Sequence, residues 1–146
     1  MKCPFCRQST TEVYNSRTTR FGAQTWRRRR CANCHNSFTT YESADLSFLR
    51  IESPAGQRRY NRARLYASLL TSLGPGAQGP ATANAVTDTV ETKLLDLRRR
   101  SISQQEIIDN VLSTLKHIDS SAFLRYLAAH SDFSTSTKLS RELKKY

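Results

Sequence analysis

Two Cys-x2-Cys pairs, Cys3/Cys6 and Cys31/Cys34, hold all four cysteines of the 146-residue chain. Two intervening residues let both thiolates of a tight knuckle face one ion, and two such knuckles close the tetrahedron that Zn2+ takes from four sulfurs. The spacing therefore predicts one structural zinc, because four thiolates leave no open position for a reacting water. Iron also accepts four thiolates, and free or disulfide-paired thiols are the plainer use; in a reducing compartment ligation is favoured over disulfides. A segment of about 45 residues with few aliphatic side chains needs a staple of this kind to fold. Arg7 and His35 follow the second cysteine of each pair, where knuckle backbones tend towards positive φ at a cost of about 1 kcal/mol for a non-glycine residue. His35 reads as an ordinary knuckle residue rather than a spare ligand.

Between the pairs, "TEVYNSR" and "QTWRRRR" have β-type composition around a turn at Phe21-Gly22, and "SFTTYE" adds a third extended segment. The result is a small zinc ribbon of short antiparallel strands, residues 1–45. In a strand alternate residues face opposite ways, so Arg27 and Arg29 should share one face and Arg28 and Arg30 the other. Such a run can be a merely solvated edge that discourages strand pairing. Arg17 and Arg20 on the partner segment, with Tyr14, Trp26 and Tyr41 nearby, favour a nucleic-acid surface, where guanidinium groups neutralise phosphates or pair with guanine.

Charge points the same way. The net charge is +11 and the isoelectric point about 10.0, which favours a polyanion as partner and nucleic acid ahead of an anionic membrane. Residues 1–46 carry eight Lys/Arg against three acidic residues, and residues 47–146 carry fifteen against nine. Net positive charge per residue is thus about double in the first part. No apolar run approaches the roughly 18 residues of a membrane span, and the first ten residues have no apolar core of a signal peptide, so the expected location is the cytoplasm.

From Leu46 the character changes. Residues 47–60 read as a hairpin, with "LSFLRIES" as one strand, "PAG" as the turn and "QRRY" returning. Asn61 is a candidate N-cap for a helix to about Leu73, with Leu65, Leu69, Leu70 and Leu73 on one face. "GPGAQGP", residues 74–80, makes a loop between two helices. A second helix is expected over Ala81–Arg99, with Val86, Val90, Leu94 and Leu97 at helical spacing and three arginines near its end. Ser103 and Glu106 form a capping box before Ile107, Ile108, Val111, Leu112 and Leu115. Asp119 caps a fourth helix carrying Phe123, Leu124 and Leu127, and residues 134–146 form a basic, marginally helical tail. The fold class is α+β: a ribbon followed by a mainly helical domain with a β-hairpin.

The motifs "MKCPFC", "NSR", "RRRRCANC" and "FTTYE", taken together, resemble the NrdR family of bacterial repressors of ribonucleotide reductase genes, and "YNRARL" and "DSSAFLRY" resemble that family's ATP-cone. The resemblance extends to about Phe133. It implies a DNA-binding ribbon over 1–45 and, over 46–133, a cone that binds ATP or dATP and sets the homo-oligomer able to hold double-stranded operator DNA on the bacterial nucleoid. Carried over by position, Cys3, Cys6, Cys31 and Cys34 hold zinc and Arg17 with Arg27, Arg28, Arg29 and Arg30 contact DNA.

The family's Asp before Ser-Arg is Asn15 here, and no residue separates the arginine run from Cys31. At the hairpin turn, where the family usually reads Val-Lys-Arg-Asp-Gly, this chain has Ile51-Glu52-Ser53-Pro54-Ala55, and the family's frequent glutamate falls at Arg58. Arg64 replaces a lysine, and Phe123 a tyrosine. The implied nucleotide-binding residues are Ile51, Arg58, Arg62, Arg64 and Phe123, the cations lying at the hairpin exit and helix start, where anions are favoured.

The alternative is a nucleic-acid-associated zinc-ribbon accessory protein whose nucleotide sensor is lost or altered. No enzyme is expected: there is no Gly-x4-Gly-Lys-Ser/Thr loop and no open zinc position, and His117 and His130 stand apart from any nucleophile.

Overall fold

The computed structural model describes residues 1–19, 24–76, 78–131 and 135–145. The expected turn at Phe21-Gly22, Arg20 and Phe133 lie outside the described residues. The chain divides into two compact units, Met1–Asp45 and Leu46–Tyr146.

The first unit is a three-stranded antiparallel sheet, β1 Thr11–Thr19, β2 Gln24–Cys31 and β3 Ser37–Ser43, in the order β1-β2-β3. The arginine run therefore occupies the central strand, hydrogen-bonded on both sides, and the solvated-edge reading does not apply to it. Same-face arginines two residues apart lie about 6.6 Å from each other along a strand, and their repulsion works against this sheet. Within this unit the buried apolar side chains are Cys3 and Cys31. Among the described residues the ribbon has no oily core, so the cysteine cluster has to take that place.

The second unit is built around a core that includes Leu69, Val86, Val90, Leu94, Ile102, Val111, Leu112, Leu115 and Leu127, each almost wholly buried. A 3-10 turn, Leu46–Phe48, precedes strand β4, Arg50–Ser53, so the expected first strand of the hairpin is shorter than its composition suggests. Alternation fails because Leu46 and Leu49 are both buried, three residues apart, with Leu49 N–H donating to Leu46 O at 2.9 Å. β5, Gly56–Arg59, pairs antiparallel with β4. A third strand, β6 Ser101–Ser103, joins β4 on its other side in parallel, and burial of Ile102 in the core anchors it.

The helices are α1 Arg62–Leu73, α2 Gly79–Asp96, α3 Gln104–Leu115, α4 Ser120–His130 and α5 Ser136–Lys145. Three starts follow the expected caps: Asn61 accepts from Arg64 N–H, Asp119 accepts from Ala122 N–H, and Ser103 with Glu106 forms the complete capping box. α2 begins earlier than expected, at Gly79 with Pro80 in its first turn, and ends at Asp96 rather than Arg99. Its last residues leave the helix because Arg98 adopts φ 52°, which turns the chain into β6. Leu97 and Leu124, expected on apolar stripes, are exposed.

Arg98 is a left-handed residue with a side chain, a conformation costing about 1–2 kcal/mol for anything but glycine. Replacement R98G should therefore stabilise the second unit by about 1 kcal/mol, raising its thermal midpoint by about 4–8 °C; calorimetry of the full chain reads this directly.

Candidate metal centre, nucleic-acid interface and ligand cavity

The four cysteine sulfurs lie within 4.8 Å of one another, with Cys3 Sγ to Cys34 Sγ and Cys6 Sγ to Cys31 Sγ both 3.6 Å. Sulfurs placed tetrahedrally at the Zn–S distance of about 2.3 Å are about 3.8 Å apart. The donor set thus fits zinc in both chemistry and spacing.

The two knuckles repeat one hydrogen-bond pattern. Arg7 N–H donates to Cys3 O and His35 N–H to Cys31 O, while Cys3 N–H donates to Gln8 O and Cys31 N–H to Asn36 O. The turns carry Arg7 at φ 60° and His35 at φ 56°, as the residue positions predicted. His35 is exposed and outside the sulfur cluster. Asn36 Nδ2 donates to Cys34 Sγ at 3.6 Å, the kind of outer contact that orients a ligand.

Without an ion these sulfurs titrate unequally. A backbone hydrogen bond at Gln8 leads in lowering the Cys6 thiol to about 6. Cys31 is pushed up to about 11: a backbone hydrogen bond at Cys34 lowers it, but burial and the sulfurs of Cys6 and Cys34 outweigh that. Four thiolates this close cannot all ionise without a cation between them.

The register separates the ribbon arginines by face. Arg27 stands opposite Thr40, and its guanidinium meets Glu42 twice, Nε to Oε1 at 2.8 Å and NH2 to Oε2 at 2.9 Å. Arg29 reaches the same carboxylate at 3.8 Å and donates to Thr40 Oγ1 at 3.1 Å. On the other face Arg17 stands opposite Trp26, Trp26 opposite Tyr41, Arg28 opposite Thr39, and Arg30 opposite Ser37 and Glu12. The register shift between Val13 and Asn15 leaves Tyr14 as the extra residue of β1, with its hydroxyl accepting from Arg28 Nε at 3.3 Å. Ser37 first and Arg28 second hold the Tyr14 phenol below its ordinary range. Arg17, Arg28 and Arg30 have no ion pair among the described residues. The structure thus gathers Arg17, Arg28 and Arg30 on one face and sets Arg27 and Arg29 on the other.

In the second unit a cavity of about 220 Å³ is lined by Ile51, Arg58, Arg59, Tyr60, Asn61, Arg64, Leu65, Ser68, Gln104, Ile107, Ile108, Tyr126 and His130. None of these is acidic. Ile51 pairs across the hairpin with Arg58, so the arginine lies on the cavity side of the sheet. Glu52 pairs instead with Gln57 and accepts a hydrogen bond from the Ser101 hydroxyl. The charge exchange noted in the sequence therefore leaves the cation facing the cavity and the anion facing away. Arg58 donates to Gln104 Oε1 at 3.4 Å, and the capped start of α1 contributes Asn61 and Arg64.

Ile51, Arg58 and Arg64 are thus brought together, whereas Arg62 and Phe123 are not. Arg62 pairs with Asp88 at 2.6 Å and with Glu91, both on α2, and Phe123 packs against the core. Tyr126 and His130, absent from the sequence-based set, complete the apolar end of the cavity with ring centroids 4.3 Å apart. Burial raises the Tyr126 phenol and lowers the His130 imidazole. Their i, i+4 spacing on a capped helix was the available signal. No helix among the described residues is long and apolar enough to cross a membrane.

Comparison with known proteins bears on both units. Residues 1–42 match the family described as "Transcriptional repressor NrdR-like, N-terminal domain". The chain is 34% identical over 134 residues to the transcriptional repressor NrdR of Albidiferax ferrireducens, an overlap spanning 91% of this chain and 90% of the relative. It is 36% identical over 137 residues to that of Cupriavidus metallidurans, spanning 91% and 86%. With the NrdR of Nitrosomonas europaea the identity is 34% over 134 residues, spanning 91% and 84%.

Proposed function

The chain belongs to the NrdR family of transcriptional repressors, and from that premise we propose that it represses ribonucleotide reductase genes by binding operator DNA through its zinc ribbon, under control of ATP or dATP held in the second unit. The observation that carries the reading is the pairing of a four-sulfur centre with a central-strand arginine run in one small sheet. Zinc folds the sheet, and the sheet holds the arginines in register for phosphates and base edges.

A single small ribbon offers less surface than a selective site usually buries. The active species is therefore a homo-oligomer on paired sites in the bacterial cytoplasm, assembled through the second unit. The cavity supports the nucleotide part of the proposal. Its wall combines Ile51, Ile107, Ile108 and the Tyr126–His130 pair for an adenine ring with Arg58, Arg59 and Arg64 for phosphates. At about 220 Å³ it is smaller than the roughly 300–1,000 Å³ of a pocket enclosing a whole ligand, so the phosphates extend over the arginine rim. Nucleotide identity selects the oligomer.

The test is binding of zinc-loaded full-length protein to its organism's ribonucleotide reductase promoter and to a scrambled duplex, with no nucleotide, ATP or dATP. Selective binding that differs between nucleotides is expected, with R58E abolishing the nucleotide response. Selective but nucleotide-blind binding would remove the sensor from the proposal, and equal binding to both duplexes would turn the reading towards a general nucleic-acid accessory.

A further inference from the structure

We propose that the sulfur centre is also a modification site: a two-electron oxidant of the peroxide class attacks Cys6 or Cys34, and the buried cysteine of the opposite knuckle, Cys31 or Cys3, closes a disulfide that costs the ribbon its ion. The chemistry rests on the sulfur cluster alone. Only its consequence, release of DNA, rests on the reading of the ribbon as the DNA-binding unit.

The first observation is a division of access within the cluster. Cys3 and Cys31 are 1% and 0% exposed, whereas Cys6 and Cys34 are partly exposed. Cysteines buried for structure alone are inert, and reactive ones are partly open to solvent. The second observation is how the two kinds are paired. The sulfur approaches of 3.6 Å are Cys6 to Cys31 and Cys34 to Cys3, so each reachable sulfur has a buried one beside it across the knuckles. An accessible thiolate next to a second cysteine that can resolve it is the arrangement of a redox-sensitive pair.

The third observation is charge. Arg7 follows Cys6 and Arg30 precedes Cys31, both exposed and without an ion pair among the described residues. Neighbouring cations favour the thiolate, which is the nucleophilic form. Bound zinc keeps coordinated sulfurs deprotonated as well. The chain has no cysteine outside the centre, so no other thiol of the protein competes for the oxidant.

The step balances with peroxide as the oxidant. The Cys6 thiolate attacks one peroxide oxygen; the O–O bond breaks, an S–O bond forms, and the departing hydroxide takes a proton from solvent to leave as water. The sulfur is oxidised by two electrons to a sulfenic acid. The Cys31 thiolate then attacks that sulfur, forming the S–S bond and breaking S–O, and the second hydroxide leaves as water with another solvent proton. Cys34 and Cys3 follow the same course. Two thiolates, one peroxide and two protons thus give one disulfide and two waters. A disulfide removes two of the four ligands, and the tetrahedron that folds the three strands no longer closes.

Full-length, zinc-loaded protein treated with a molar excess of hydrogen peroxide tests this, read by a metallochromic indicator, by thiol alkylation and by mass spectrometry of tryptic peptides. Zinc release in step with thiol loss is expected. Cleavage after Lys2, Arg7, Arg30 and Arg50 separates the two knuckles into different peptides, so a disulfide across them appears as one linked species and a disulfide within a knuckle does not. Promoter-duplex affinity and the native Trp26 emission should be lost together, and a dithiol reductant with added zinc should restore both.

Retention of zinc and of all four thiols under excess peroxide would overturn the proposal, as would oxidation that stops at sulfinic or sulfonic acid without a disulfide. Disulfides confined to Cys3–Cys6 and Cys31–Cys34 would overturn the pairing of reachable with buried sulfurs. Cross-knuckle disulfides and zinc release with undiminished DNA affinity would leave the oxidation site standing and overturn the reading of the ribbon as the DNA-binding unit.

Discussion

Stripping zinc from the full-length protein should unfold residues 1–45, abolish DNA binding and leave the second unit folded. The ribbon's buried apolar side chains are two of the four cysteines, Cys3 and Cys31. Among the described residues no other core keeps the three short strands together once the ion is gone. Structural zinc supplies about 10–16 kcal/mol of folding free energy in small modules of this type, more than the side-chain contacts along β1–β3 can replace. The second unit does not share this dependence, since its core runs from Leu46 to Leu127 without a cysteine.

The chain contains one tryptophan, Trp26, and it lies on β2. Its emission therefore reports the ribbon alone, while far-ultraviolet circular dichroism is dominated by the helices of the second unit. A strong chelator should shift the Trp26 emission towards that of an exposed indole with little change in helical signal. Added zinc should reverse it, and C31S should behave as the stripped protein does. Four thiols must lose their protons to bind the ion, so zinc affinity should also fall as pH falls. Native Trp26 emission and DNA affinity in a sample verified to be metal-free would contradict the whole account of the ribbon.

The metal centre was legible because its signal is local: two knuckles with the same spacing, each closing its own turn. The caps at Asn61, Ser103 and Asp119 were legible for the same reason, since each cap acts within its own first turn. Alternation correctly separated Arg27 and Arg29 from Arg28 and Arg30, but it could not say that β2 is central or that Glu42 serves one face alone. Those are properties of strand order and register, set by residues far apart in the chain. β6 was missed because three residues, Ser101–Ser103, carry almost no pattern, and only the pairing with β4 and the burial of Ile102 reveal it. The cavity was half legible. Arg58 and Arg64 follow from the hairpin exit and helix start, whereas Tyr126 and His130 arrive from α4, more than sixty residues away in sequence.

Arg62 is where position in the sequence and position in the fold separate most clearly, and R62A should act on stability first. Its place beside the hairpin exit made it a candidate phosphate ligand, but its guanidinium is turned to α2, where it meets Asp88 and Glu91. Those carboxylates are mostly buried, 13% and 16% exposed, and the Tyr60 hydroxyl donates to Glu91 at 3.0 Å. Burial, with Glu91 adding to it, holds that phenol well above its ordinary range, so Tyr60 stays protonated as the donor. Loss of the shared cation leaves two carboxylates in a poorly solvated site. A fully buried pair broken in this way costs about 3–5 kcal/mol, and because the Arg62 side chain is 42% exposed the expected loss is smaller, about 2–3 kcal/mol after solvent screening. The thermal midpoint of the second unit should fall by about 10–20 °C, with R62K recovering part of it. R58A and R64A should show the opposite balance, weakening nucleotide binding while the midpoint moves little, because both side chains line the cavity rather than pin α1 to α2. An unmoved midpoint in R62A, together with a loss of nucleotide affinity matching that of R58A, would return Arg62 to the ligand site and imply that its contacts with α2 give way when nucleotide binds.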